Sequence, residues 1–213
     1  MAERSPVPCL YVLAGTNGAG KSSLAGAMFS ETGGEYFNPD DAAKMIRAAN
    51  PDLRANVANS VAWHQGKRLL ERAIARRANF AFETTLGGTT ITALLARAMS
   101  LGIEVRIWYV GLNSPELHIA RVRSRRAAGG HDVPEARIRS RYDRSRLNLI
   151  RLLPKLTELR VYDNSKEADP AKGSAPEPIL LLHLVRGKIV NAYAAARVPH
   201  WAKPILAAAF ATK

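Results

Sequence analysis

A phosphate-binding loop pattern near the N-terminus constrains the fold of this chain more than any other feature. Residues 15–22, Gly-Thr-Asn-Gly-Ala-Gly-Lys-Ser, match the pattern G-x-x-x-x-G-K-S/T at every fixed position. The mostly apolar residues 10–14 before it read as a buried β-strand, so the loop connects a strand to a helix. This context predicts a P-loop NTPase fold that binds the phosphates of a nucleoside triphosphate.

Each residue type in this loop has a defined task. Glycines allow successive backbone N–H groups to point at the phosphates, and the N-terminus of the following helix adds positive charge. We expect Lys21 to reach the β- and γ-phosphates and the Ser22 hydroxyl to ligate Mg²⁺. ATP and Mg²⁺ are therefore the expected cofactors. The predicted nucleotide-binding residues are Gly15, Asn17, Gly18, Ala19, Gly20, Lys21, Ser22 and Ser23.

The length of 213 residues fits one α/β domain that buries a core without disulfides or structural metal. Predicted strands at 35–38, 79–83, 104–111 and 160–163 alternate with helices, which indicates a mainly parallel sheet in a three-layer sandwich. In the long helix predicted from 57 to 78, Trp63, Leu70 and Ile74 are assigned to the core. A hairpin and a helix at approximately 179–211 complete the domain.

The chain shows no sign of membrane insertion or export. The first eight residues lack the apolar segment of a signal peptide, and no apolar run reaches the length of a membrane span. We therefore expect a cytoplasmic protein that does not contact membranes.

The net charge of +13 is concentrated in one stretch. Residues 121–151 contain ten arginines and three acids, on two predicted helices joined by Gly129 and Gly130. We interpret approximately 114–153 as an arginine-rich lid whose guanidinium groups grip a fixed phosphate. Nucleic acid is a less favoured partner, because Tyr142 is the sole aromatic residue interleaved with these arginines. Four histidines, His64, His118, His183 and His200, show no metal-ligand spacing and are interpreted as structural or exposed.

Carboxylates follow the predicted strands, at the edge of a parallel sheet where ligands bind. These are Asp40, Glu83 and Asp163. We predict Asp40 as the general base, next to the loop if the strand order is the usual one. The alternative is that Asp40 or Asp41 caps the next helix.

Glu83 ends an apolar strand, where a buried carboxylate needs a ligand, a metal or a cation beside it. Together with Thr84 and Thr85 it is predicted to hold acceptor hydroxyls. The alternative is a plain strand-to-helix turn, in which the threonines satisfy backbone groups.

Several further motifs accompany the loop in a fixed order. They are Asn-Pro-Asp at 38–40, Phe-Glu-Thr-Thr-Leu at 82–86, Gly-Gly-His-Asp-Val-Pro at 129–134, Arg-Ser-Arg-Tyr at 139–142 and Tyr-Asp-Asn-Ser at 162–165. With these motifs, residues 10–165 resemble the zeta toxin family of P-loop kinases, especially its short single-domain bacterial members.

The resemblance implies an adenylate-kinase-like core and a kinase that uses ATP and Mg²⁺. Studied toxins of the family phosphorylate a sugar hydroxyl of UDP-N-acetylglucosamine, a nucleotide sugar, and an inhibitory antitoxin is implied as a partner. The match implies Asp40 as base, Glu83 and Thr85 on the acceptor, and Arg125 and Arg141 as the clamp on the γ-phosphate. The chain is more compact than the larger toxins, so the donor is better defined than the acceptor.

Two other functions stay open at this point. The first is a kinase of another small molecule, such as a nucleoside, an antibiotic or a metabolite. The second is a nucleic-acid-binding ATPase module, in which hydrolysis drives the lid and the basic stretch grips RNA or DNA.

Overall fold

The computed structural model describes residues 7–32, 36–129, 132–166 and 177–211. Within these residues, seven strands form one sheet. They are β1 (Cys9–Ala14), β2 (Tyr36–Phe37), β3 (Phe80–Thr84), β4 (Glu104–Gly111), β5 (Glu158–Asp163), β6 (Ile179–Val185) and β7 (Lys188–Ala192). The helices are α1 (Ser22–Thr32), α2 (Pro39–Ala49), α3 (Ala55–Arg76), α4 (Thr89–Ser100), α5 (Pro115–Ala127), α6 (Glu135–Leu152) and α7 (Lys203–Ala211).

The strand order is β2-β3-β1-β4-β5-β6-β7, which places β1 and its loop in the interior of the sheet. The pairs from β2 to β5 are parallel, and β6 and β7 add an antiparallel hairpin at one edge. The mainly parallel sheet is confirmed. Strand β3 lies between β2 and β1, so the strand before Asp40 does not pair with the strand before the loop. The carboxylate closest in register to the loop is therefore on β3.

Two faces of the sheet are covered unequally. The larger core includes Leu70 of α3, Leu95 of α4, Leu149 of α6 and Ile205 of α7 on one face. On the other face, α1 contributes Met28 and packs against residues of β1 and β4. This arrangement is the three-layer sandwich that the alternation of strands and helices predicted.

The core assignment of α3 is right in its second half and wrong at Trp63. Leu70 and Ile74 are buried, but Trp63 is 40% exposed. The first half of α3 packs on α2, through Ala58 and Ala62 against Ala43. The buried residues of this contact are alanines, and Trp63 is not among them although it continues the apolar stripe of α3.

The C-terminal segment is integral to the domain. Trp201, in a short 3-10 helix before α7, is 1% exposed. Its Nε1–H donates to Asp163 Oδ1 at 3.0 Å, and a Cβ atom at Gly111 would lie 2.3 Å from its ring. Trp201 thus packs against the carboxyl ends of β4 and β5. Asp163 accepts from Trp201, whereas Glu83 lies beside the loop lysine and Asp40 beside an arginine of α5.

The predicted lid corresponds to α5 and α6. Leu149 and Leu152, at the end of α6, belong to the main core, whereas Ile119, Val122 and Ile138 form a separate cluster between the two helices. A lid movement is therefore a prediction for α5 and the first half of α6, since the second half is anchored. No helix in the described part of the chain is long and apolar enough to cross a membrane.

Candidate active site

The loop after β1 adopts a conformation that requires glycine. Gly15, Gly18 and Gly20 have φ angles of 143°, 82° and 79°. A Cβ atom at Gly15 would lie 2.2 Å from the Val110 carbonyl oxygen. L-residues avoid this region of φ, so the loop needs glycine at these positions, and this need explains the glycine spacing of the motif. The loop ends at the N-terminus of α1, which begins with Ser22.

Lys21 is the buried cation of this loop. Its side chain is 7% exposed, and its Nζ donates to the Gly15 carbonyl oxygen at 2.8 Å. Glu83 Oε1 lies 3.3 Å from the same Nζ, because Glu83 pairs with Leu13 in the β1–β3 register. Of the ligand, metal or cation expected beside Glu83, the structure shows a cation, the loop lysine.

The second oxygen of Glu83 also has a partner. The Tyr36 hydroxyl donates to Glu83 Oε2 at 3.0 Å. Burial, reinforced by the Glu83 carboxylate, raises the pKa of Tyr36, so its phenol stays protonated and acts as the donor. These contacts hold the carboxylate at the loop, where it faces Lys21.

Asp40 does not cap α2. The N-cap is Asn38, whose Oδ1 accepts from the Asp40 backbone N–H at 2.8 Å, with Pro39 next in the helix. The capping alternative is therefore wrong for Asp40, and also for Asp41, which pairs with Lys44 at 3.0 Å. The Asp40 side chain instead lies beside α5 of the lid.

Two lid arginines meet this part of the site. Arg125 Nη1 of α5 lies 3.5 Å from Asp40 Oδ2. Arg141 Nη1 of α6 donates to Asn17 Oδ1 of the loop at 2.8 Å. Burial and the neighbouring Arg137 lower the pKa of Arg141, while Asp40 acts in the opposite direction. The structure thus brings Asp40, Arg125 and Arg141 to the loop end of the sheet, and their catalytic roles stay predictions.

The threonines after Glu83 are engaged with the turn that follows. Thr84 Oγ1 accepts from Leu86 N at 3.1 Å, and Thr85 Oγ1 accepts from Gly87 N at 3.4 Å. Leu86 has a φ angle of 54°, which explains why the turn needs this local support. The turn alternative describes these contacts, and the predicted role of both hydroxyls toward an acceptor stays a prediction.

Two further side chains donate hydrogen bonds to backbone carbonyl groups of the loop. Asn164, just after β5, donates from Nδ2 to the Ala19 carbonyl oxygen at 2.9 Å. Ser23 Oγ donates to the Gly20 carbonyl oxygen at 2.7 Å, whereas Ser22 is exposed. Among the described residues, no three or more His, Cys, Asp or Glu side chains cluster in a way that could hold a metal ion. The Ser22 hydroxyl is an oxygen ligand of the kind that Mg²⁺ prefers, and its predicted role toward this ion stays a prediction.

The sequence interpretation did not assign His118 to the site. His118 of α5 is 1% exposed, and its Nδ1 lies 2.9 Å from the Asn17 carbonyl oxygen. Because a carbonyl can only accept, Nδ1 carries the proton of this hydrogen bond. Burial, with Lys21, Arg121 and Arg146 nearby, lowers the pKa of His118 to about 4. The Ser-Pro-Glu sequence at the start of α5 fixes where His118 lies on the helix, but no local pattern indicates that His118 contacts the loop.

His118 should make the stability of the protein pH-dependent. The unfolded chain binds a proton on this side chain below its ordinary pKa of 6.5, and the folded chain does not until about pH 4. The stabilisation is complete above pH 6.5 and is lost as the pH falls toward 4. We expect the free energy of unfolding, measured with urea, to fall by about 2 kcal/mol between pH 7 and pH 5 from this group.

Two variants separate this contribution from those of other groups. His118→Phe should remove the slope, and His64→Asn, at an exposed histidine, should keep it. An unchanged slope in His118→Phe would assign the pH dependence to other residues.

The exposed lid arginines are largely paired. Arg126 lies 3.1 Å from Asp132, and Arg139 lies 2.6 Å from Glu116. Arg123 forms an ion pair with Glu135. These pairs join α5, α6 and the intervening residues, and they reduce the basic surface offered to a polymer of phosphates. The nucleic-acid alternative is weaker than the arginine count suggests.

The chain is similar to one described protein family and to several known proteins. A protein-family model described as Zeta toxin matches residues 1–169. An uncharacterized protein of Haemophilus influenzae is 33% identical over 129 residues, which are 60% of this chain and 88% of that protein.

Solved structures share the fold at low identity. A chain of the AvrRxo1-ORF1:-ORF2 structure with ATP has a TM-score of 0.66 and 15% identity, over 95% of this chain and 63% of that one. This chain therefore spans less than two thirds of that relative. A chain of the PezAT chromosomal toxin-antitoxin system of Streptococcus pneumoniae has a TM-score of 0.57 and 15% identity, over 99% of this chain and 87% of that one.

Proposed function

This chain belongs to the zeta toxin family, and we propose that it is a kinase that transfers the γ-phosphoryl group of ATP to a hydroxyl of a small molecule. One observation carries the proposal: Lys21 of the phosphate-binding loop, Asp40 and two lid arginines lie at the same end of the sheet. These are the parts that phosphoryl transfer asks of a protein: a phosphate cradle, a carboxylate for the acceptor hydroxyl, and cations for the γ-phosphate.

The reaction that this arrangement supports is an in-line transfer. Asp40 accepts the proton of the acceptor hydroxyl as the hydroxyl oxygen forms a bond to the γ-phosphorus. The bond between that phosphorus and the oxygen bridging to the β-phosphate breaks, and ADP leaves with the bond's electron pair. Asp40 releases the proton to solvent afterwards, so atoms and charges balance.

The cations bind and orient the phosphates of the donor. Lys21 of the loop would bind the β- and γ-phosphates, and Arg125 and Arg141 would contact the γ-phosphate from the lid. Glu83 pairs with Lys21 in this structure, and we assign it to the acceptor hydroxyls once the phosphates occupy the lysine. Ser22 would hold Mg²⁺, which when bound would supply charge neutralisation on the phosphates.

For the acceptor we propose a nucleotide sugar, with UDP-N-acetylglucosamine as the first candidate. Family membership supports it, and a nucleoside, an antibiotic or another metabolite would use the same donor site. We also propose an antitoxin protein as a partner, supported by the similarity to a chain of the PezAT toxin-antitoxin system.

The test is direct phosphorylation of candidate acceptors. The protein is incubated with ATP, Mg²⁺ and a panel of UDP-sugars, nucleosides and aminoglycosides, and products are identified by mass spectrometry. We expect a phosphorylated UDP-N-acetylglucosamine that is absent with Asp40→Ala. Phosphate on another acceptor would keep the mechanism and replace the substrate. ADP release without any product, equal in Asp40→Ala, would contradict the kinase proposal.

Arg141→Ala should reduce transfer by about 10²-fold, because a guanidinium beside the γ-phosphate acts mainly in the transition state. The KM for the acceptor should change little. Arg144→Ala is the matched control, since Arg144 is exposed on the same helix, and it should behave like the wild type. Steady-state kinetics with both substrates measure the two effects. Unchanged kinetics in Arg141→Ala would assign the clamp to another arginine.

A further inference from the structure

We propose that His118 is a positioning residue for the phosphate loop: its imidazole fixes the Asn17–Gly18 peptide so that the Gly18 N–H is available to the nucleotide. The inference rests on the proposed function and deepens it. It adds to the donor site a residue on α5, 101 positions along the chain from Asn17. The geometry of one peptide unit carries the argument.

The hydrogen bond determines how this peptide faces. His118 Nδ1 donates to the Asn17 carbonyl oxygen at 2.9 Å, in a buried environment. In a trans peptide the carbonyl and the following N–H point in opposite directions. With the Asn17 carbonyl turned toward α5, the Gly18 N–H points away from α5. Successive N–H groups of this kind are what a phosphate loop offers to its ligand.

His118 itself is held firmly. Its ring meets the Tyr142 ring edge-on, with 5.6 Å between centroids. The Tyr142 hydroxyl donates to the carbonyl oxygens of Leu112 at 3.2 Å and Asn113 at 2.9 Å, just before α5. A Cβ atom at Gly18 would lie 2.5 Å from the His118 carbonyl oxygen, so loop and helix are in close contact. The imidazole therefore has little freedom to leave the Asn17 carbonyl.

Asn17 links the loop to both lid helices. Its backbone oxygen accepts from His118 of α5, and its side-chain Oδ1 accepts from Arg141 of α6. Thr16 adds a weak contact, from its Oγ1 to the Arg141 carbonyl oxygen at 3.5 Å. The conformation of the loop is thus set partly by residues outside the motif. Loss of the His118 contact should weaken nucleotide binding and leave acceptor binding unchanged.

The experiment compares ADP binding in wild type, His118→Phe, His118→Asn and His118→Gln by calorimetry with Mg²⁺. Phenylalanine keeps a ring but has no donor. The Asn amide nitrogen can take the place of Nδ1, whereas that of Gln reaches the place of Nε2. We expect His118→Phe and His118→Gln to raise the Kd by about tenfold, the effect of one hydrogen bond, and His118→Asn to stay within about threefold.

Two further readouts distinguish positioning from a general structural role. In kinetics, His118→Phe should raise the KM for ATP and leave the KM for the acceptor unchanged. Thermal unfolding identifies any variant that is not folded, and the comparison of Asn with Gln then carries the test. Equal ADP affinity in Asn and Gln variants, or in His118→Phe and wild type, would overturn this inference. A wild-type protein that binds neither ADP nor ATP would instead refute the proposed function.

Discussion

Lys21→Ala is expected to lower phosphoryl transfer by about 10³-fold or more, with every acceptor tested. The ammonium group is buried in the loop, where a charge acts on the transferring phosphate with little screening by solvent. Alanine removes that charge from the place where negative charge develops. Single-turnover transfer from radiolabelled ATP measures the loss without interference from product release.

The same substitution also leaves Glu83 without its cation, which can lower stability by several kcal/mol. The double variant Lys21→Ala/Glu83→Gln removes this complication, and it should be as inactive as the single variant. Lys67→Ala, at a partly exposed lysine on α3 that pairs with Glu71, is the matched control and should keep full activity. Turnover near the wild-type level in a folded Lys21→Ala protein would refute the assignment of the phosphate loop.

Asp40→Asn should lower turnover by about 10²-fold or more, because the amide has the shape of the carboxylate but cannot take the hydroxyl proton. ATP affinity should be retained, since Asp40 contacts the lid through Arg125 and does not contact the loop lysine in this structure. The measurement is kcat together with the Kd for ATP. The two quantities separate a role in chemistry from a role in binding.

Asp41→Asn is the control that the chain itself offers. Asp41 is the next residue of α2, is 61% exposed and pairs with Lys44. Its loss should leave both quantities unchanged. A fall in ATP affinity with Asp40→Asn would make Asp40 a structural or metal-associated residue, and normal turnover would exclude it as the base.

The local patterns of the chain predicted most of the fold. The phosphate loop, the run of apolar β-branched residues in β4 and the proline and glycine signals around α5 each depend on short stretches of chain. Such signals act through backbone conformation and helix capping, which neighbouring residues decide. The carboxyl ends of β2 and β3 could likewise be identified as the places for Asp40 and Glu83.

Choices between equally reasonable local alternatives could not be predicted. Asn38, Asp40 and Asp41 can each cap a helix, and the structure shows Asn38 in that position. Trp63 continues the apolar stripe of α3, but whether its side chain is buried depends on how α2 packs against α3. The order of β2 and β3 relative to β1 depends on how whole strands pair across the sheet.

The sequence by itself determined the loop, the succession of strands and helices, and the residue types available for phosphate and proton chemistry, because these depend on neighbours along the chain. Tertiary structure alone decided which of these groups meet. Lys21 faces Glu83 because β3 pairs with β1, and Asn17 meets His118 and Arg141 because α5 and α6 pack over the loop. Such contacts join residues up to 124 positions apart, and they form through the packing of whole elements, which no short stretch of sequence encodes.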